Sequence, residues 1–244
     1  MKNSHRSKVS RSLSKQIFAI ALGVMFVHTS SAQSQETPSG CGTLRSPGQY
    51  GPWDYRTDSD KLPIVLGAHF TPEVEALVRG KSGYLGGDID YTLRAIPNNH
   101  RALIAMMRLG ERDKTPKPRG SNYSVECWFL RAIQFRPDDG IVRMIYSTYL
   151  NKNGRTADAG NQLAIATTYA KDNSFTHYNI GLHQFDLKNY DKALVQAHKA
   201  LELGFTKTAL RDKLQSVGKW TEPVATPLDD ANQSTTESMP KAIQ

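Results

Sequence analysis

The sequence predicts an all-α protein: a solenoid of helix-turn-helix units with a C-terminal capping helix and an irregular N-terminal segment. Three observations carry this. Residues 174–205, SFTHYNIGLHQFDLKNYDKALVQAHKALELGF, read as two amphipathic helices joined by a Lys188-Asn189 turn. Small residues (Gly181, Ala193, Ala197, Ala200) stand where two helices must approach closely. A period recurs: Ala132, Ala166 and Ala200 are 34 positions apart, as are Ala159 and Ala193, and Ser147 and Gly181. A fixed spacing of this size marks stacked supersecondary units, here about three to four helix pairs over residues 71–220.

Taken in order, the chain starts with Lys2, Arg6, Lys8, Arg11 and Lys15, then the apolar run Ile17–Val27, then Ser30-Ser31-Ala32. Basic, apolar and small-residue parts in that order predict an export signal over 1–32, cleaved after Ala32. The apolar run is too short for the ~20 residues of a spanning helix, so no membrane span is expected after cleavage. Of the net charge of +8, the five bases of 1–32 supply +5 and leave +3 for the rest. So weak a balance gives no case for nucleic acid. Export allows disulfides. Cys41 and Cys127 are either bridged, tying the head to the helices, or two unpaired thiols, and spacing alone does not choose.

Residues 33–40 are polar and expected to be loose. Residues 41–70 are broken by Pro47-Gly48 and Gly51-Pro52, yet carry Tyr50, Trp53, Tyr55, Leu62, Ile64, Val65 and Phe70. Such a segment either covers the open first end of a helical stack or presents Tyr50, Trp53 and Tyr55 as a stacking platform for a sugar or peptide. Thr71-Pro72-Glu73 opens a helix expected to reach Gly80. Gly86-Gly87 is read as a turn before a second helix with Ile89, Leu93 and Ile96, and Asn98-Asn99 opens a third with Leu103, Met106 and Leu109. Residues 110–122, GERDKTPKPRGSN, are long for a helix connection, and are a surface insertion or a partner-contacting loop. Val125, Trp128, Phe129 and Ile133 mark the next helix, ended at Pro137. The two regular units follow, with Gly154 turning the first of them. Leu210, Leu214 and Val217 form the stripe of a terminal helix with one wet face, against which Trp220 folds back. Residues 221–244 are expected to be disordered.

The last unit resembles the tetratricopeptide repeat, whose pattern is W-x2-L-G-x2-Y, then A-x3-F, then P. His177, Ile180, Gly181 and Gln184 fall on the first group, and Ala193, Ala197 and Phe205 on the later ones. His177, Gln184, Ala197 and Phe205 depart from the pattern, as does Lys171 at the terminal proline of the preceding unit. The phrases CGTLRSPGQYGPWDYR, GGDIDYTLRAIPNNHRAL and ALRDKLQSVGKW are similar to a group of exported bacterial tetratricopeptide proteins. That resemblance implies a periplasmic or secreted helical-repeat protein. Asn179 matches a position that, in peptide-binding members of the family, hydrogen-bonds the backbone of an extended ligand.

Catalytic patterns such as G-x-S-x-G, H-E-x-x-H, G-x-x-x-x-G-K-[ST] and C-x-x-C do not occur. Asp88, Asp90 and His100 lie close in sequence without metal-ligand spacing, so no metal or cofactor is expected. Binding has a positive signal. Phe175, Tyr178, Asn179, Leu182 and Phe185 share one helical stripe, matched in the preceding unit by Ile141, Met144, Ile145 and Thr148. This stripe either lines a ligand groove or packs on neighbouring repeats. The function expected is a non-catalytic scaffold or adaptor that holds a protein or peptide segment, in an envelope assembly or secretion complex. The alternative is a carbohydrate-associated part of polysaccharide export using Tyr50, Trp53 and Tyr55. An enzyme is the least favoured reading.

Overall fold

Short Pro- and Asn-headed helix starts, rather than long propensity runs, set the boundaries. The computed structural model describes residues 40–45 and 48–223, all within one unit, Gln35–Gln244. The expected signal 1–32, residues 33–39 of the polar stretch and residues 224–244 of the C-terminal segment lie outside the described residues. Among these there are ten helices and no strand.

The N-terminal segment is not wholly irregular. Leu62–His69 forms α1, with Pro63 in its first turn, where a missing N–H costs nothing. Eight residues with little apolar periodicity gave no helical signal. The helix expected from Pro72 to Gly80 is instead a single turn, α2 (Pro72–Glu75), because Leu77 takes a left-handed φ of 59°. Then come α3 (Leu85–Ala95) and α4 (His100–Asp113). Gly86 and Gly87 sit inside α3 rather than in a turn. A Cβ on Gly86 would lie 2.4 Å from the Arg119 carbonyl oxygen. The two glycines thus admit the passing connection between α4 and α5 (Val125–Phe135).

That connection is docked rather than loose. Pro118 and Ser121 are buried, and Asn122 donates from N and Nδ2 to the two Asp90 carboxylate oxygens at 2.6 and 2.9 Å. Val125 N donates to Pro116 O at 2.8 Å, and Arg119 stacks 3.9 Å over the Tyr84 ring. The regular units follow: α6 (Gly140–Lys152) with α7 (Thr156–Ala170), α8 (Ser174–Asp186) with α9 (Tyr190–Glu202), and the closing α10 (Ala209–Ser216).

Recurrent caps punctuate the stack. Asn99, Asp139 and Asn173 accept from the backbone N–H groups of Ala102, of Ile141 and Val142, and of Thr176. Each supplies an acceptor for orphan donors of a first turn, worth about 1 kcal/mol apiece. The pairs α6–α7 and α8–α9 touch along their lengths, whereas α4 and α5 meet more sparsely. The difference is steric. Ser147, Ala159 and Ala166 in one pair, and Gly181, Ala193 and Ala197 in the other, let backbones approach, while the space beside α5 is filled by fully buried Trp128 and Phe129. The first helices α4, α6, α8 and α10 also touch one another in sequence, more closely than the second helices α5, α7 and α9 do.

One core runs from Ile89 and Leu93 through Leu103, Met106, Trp128, Phe129, Val142 and Leu150 to Leu163 and Ile180. A second joins Tyr178, Ala197, Ala200, Leu210 and Leu214 at the C-terminal end.

Candidate functional site

The helix period brings equivalent positions of α6 and α8 to one face. Ile141 and Phe175, 34 residues apart, each occupy the second position of a first helix, and are 41% and 58% exposed. Along the same stripe Thr148, Asn179, Leu182 and Phe185 are half-buried. Asn179 Nδ2 donates to Phe175 O at 2.7 Å, within its own helix. Thr148 Oγ1 lies 3.4 Å from His183 Nδ1, and burial, opposed by the Asp186 charge, pushes His183 below the usual histidine value. The remaining members of the expected stripe are not available to a ligand. Met144 and Ile145 are 5% and 8% exposed and belong to the main core, where α6 meets its neighbours. Tyr178 is 8% exposed, its ring 4.5 Å from that of Phe205. Close approach of the first helices consumes these positions, an effect that periodicity on one helix cannot reveal.

At the other end, Tyr50, Trp53 and Tyr55 are half-buried and pack with Leu62, Val65, Ala95 and Ile96. Tyr50 and Trp53 meet edge-on at 5.7 Å and 63°, and Tyr55 meets His100 edge-on at 5.1 Å. The three rings therefore make no flat shared platform. The segment covers α3: Trp53 N donates to Ala95 O at 2.9 Å and Gln49 Nε2 to Arg94 O at 2.6 Å.

Two ties hold this cover: the first includes the bridge that cysteine spacing left open, and the second was not read from the sequence. In the first, a disulfide joins Cys41 to Cys127, with Cα atoms 5.2 Å apart. Beside it the buried Arg131 donates from Nη1 to Cys41 O and Thr43 O, each at 2.8 Å. Its guanidinium lies 4.5 Å over Tyr123 and 5.3 Å over Trp128, and burial, opposed by the Tyr123 and Asp90 charges, pushes it below the usual arginine value. In the second, Asp54 accepts from Asn98 at 2.7 Å and from Arg136 at 2.6 Å, and pairs with Arg56 at 3.0 Å. Asn98 also donates to Asp139 at 2.9 Å, and His100 Nε2 is 3.0 Å from both Asp139 oxygens. Burial alone would raise the Asp139 carboxyl; the His100 hydrogen bond and charge, Asn98 and the Val142 N–H outweigh it and hold it low. Asp54 is likewise held well below the usual carboxylate range, burial being outweighed by the Arg56 side chain and N–H and by Asn98. The signal available in sequence was the parallel between Pro97-Asn98-Asn99 and Pro137-Asp138-Asp139.

A cavity of about 320 Å³ lies between the α8–α9 pair and α10, lined by Tyr178, Leu201, Phe205, Leu210 and Trp220 with Lys207 and Arg211. Among the described residues no group of three or more His, Cys, Asp or Glu side chains is set to hold a metal ion, and no helix is long and apolar enough to cross a membrane. Comparison with family models, with curated proteins and with solved structures finds no match.

Proposed function

We propose that the chain is an exported, non-catalytic scaffold of the tetratricopeptide kind, holding an extended protein segment against the face built by α6 and α8. The observation that carries this reading is the pair Ile141 and Phe175. Two large apolar side chains stand open to solvent at equivalent positions of successive first helices. Half-open Thr148, Asn179, Leu182 and Phe185 continue the same track. A run of apolar side chains with interspersed amide and hydroxyl groups suits the alternating side chains and backbone of an extended segment. Export is supported by the Lys2–Lys15, Ile17–Val27 and Ser30–Ala32 pattern and by the disulfide, a bond that persists in oxidising compartments. The resident partner is a protein of the cell envelope.

Crosslinking capture from the native envelope tests this, with wild type beside Phe175→Ala/Leu182→Ala. Phe175 is exposed, whereas Leu182 is half-buried against the C-terminal core, so the variant is expected to melt lower than wild type yet stay folded, which circular dichroism checks. Truncating central apolar anchors costs about 2 kcal/mol or more, roughly 30-fold in affinity. One dominant protein captured by wild type and lost by the folded variant is the expected result. Equal capture by both moves the binding surface elsewhere.

A further inference from the structure

We infer that the cavity at the C-terminal end is a second binding site, for a small apolar monocarboxylate such as a medium-chain fatty acid. The inference goes beyond the scaffold reading and does not depend on it. Its walls are Tyr178, Ala197, Ala200, Leu201, Phe205 and Leu210, closed on one side by Trp220. About 320 Å³ is at the lower end of the range for small-molecule pockets, which are typically apolar with a few placed polar groups. Here none of the polar groups is an anion. Thr206, Lys207, Thr208 and Arg211 gather at the rim, and no carboxylate is among the described lining residues.

The rim already handles a carboxylate. Glu222 Oε1 accepts from Arg211 Nη2 at 2.9 Å and from Trp220 Nε1 at 3.0 Å, so the chain following α10 is moored by an anion beside the cavity. Arg211 also lies 5.4 Å over the Trp220 ring. Lys207, on the same rim, is exposed and makes no ion pair among the described residues. A cation without a carboxylate at the mouth of an apolar cavity matches an apolar body carrying one negative group. Burying that body supplies the affinity, and Lys207 selects the charge.

Calorimetric titration of the full chain with decanoate, below its micelle concentration, tests the assignment. One saturable site is expected, weakened about twofold to fivefold by Lys207→Ala, the loss typical of removing one partner of an exposed charge contact. Uncharged 1-decanol should bind wild type more weakly than decanoate and equally well to wild type and Lys207→Ala. Leu201→Trp, which fills the cavity from an exposed position, should abolish binding with the fold retained by circular dichroism. Absence of a saturable site, binding unchanged in Lys207→Ala, or binding that survives Leu201→Trp each overturns it. Decanol binding as tightly as decanoate would also overturn it, by reducing the site to an unselective apolar hole.

Discussion

Arg131 is a buried cation with no carboxylate hydrogen-bonded to it among the described residues, and its acceptors belong to another part of the chain. Its Nη1 holds Cys41 O and Thr43 O, while Nε has no partner among the described residues. Replacing a buried ion pair with apolar groups is often harmless, because both desolvation costs vanish together. Here only one side would vanish: after Arg131→Met the two carbonyls would remain against the protein without donors. The expected loss is about 2–3 kcal/mol, the scale of hydrogen bonds to a charged group. It is read as a lower urea midpoint at unchanged slope, measured with the disulfide intact. A variant as stable as wild type would show that water satisfies those carbonyls. Nothing in the sequence marked this residue, since Arg131 reads as the polar side of an amphipathic helix. Only the fold places Cys41 above it, by way of a pairing across 86 positions.

Elements were legible wherever apolar spacing ran for three turns or more. The helices α3 to α10 stand close to where their periods put them, and the caps Asn99 and Asn173 stand where Asn precedes an apolar run. The reading failed at α1, whose mostly apolar residues show no helical period, and at α2, a single turn. It also failed at Gly86-Gly87, where glycine serves close approach and not a turn. This last failure shows what holds the long α4–α5 connection. With Gly86 bare, Arg119 O comes within what would be 2.4 Å of a Cβ, and Asn122 completes the dock on buried Asp90. A side chain at residue 86 would meet backbone, which cannot swing aside. Gly86→Val should therefore detach the connection, destabilising by about 2–3 kcal/mol, the range for overpacking. Gly87→Ala, where a Cβ would stand 3.7 Å from the nearest oxygen, should be close to neutral. Hydrogen exchange over residues 114–124 separates the outcomes: faster exchange in Gly86→Val alone supports the docking role, and equal protection in all three proteins refutes it.

At the scale of the whole molecule, the N-terminal segment is a cover fastened at two separate points. One is covalent, Cys41–Cys127 with Arg131 beside it; the other is ionic, through Asp54, Asn98 and Asp139. The candidate face on α6 and α8 was half legible for a related reason. A single helix discloses its stripe but not its neighbours, so Ile141 and Phe175 stand open while Met144, Ile145 and Tyr178 are enclosed. The ionic fastening responds to acid. Both carboxyls are held below the ordinary value near 3.9, so on acidification the unfolded chain binds protons before the folded one. Their stabilisation is complete above about pH 5 and is lost as pH falls through the depressed folded values. The disulfide does not titrate and should keep the cover tethered after the ionic point fails. Urea midpoints at pH 7, 5 and 3 are expected to fall steeply only below pH 5. Asp139→Asn should start lower at pH 7, since it weakens the contacts to His100 and to the first turn of α6. It should then show a shallower decline. A slope identical to wild type would mean that other carboxylates, Asp88 among them, govern acid unfolding, and that the Asp54–Asp139 cluster fastens the cover without controlling its pH response.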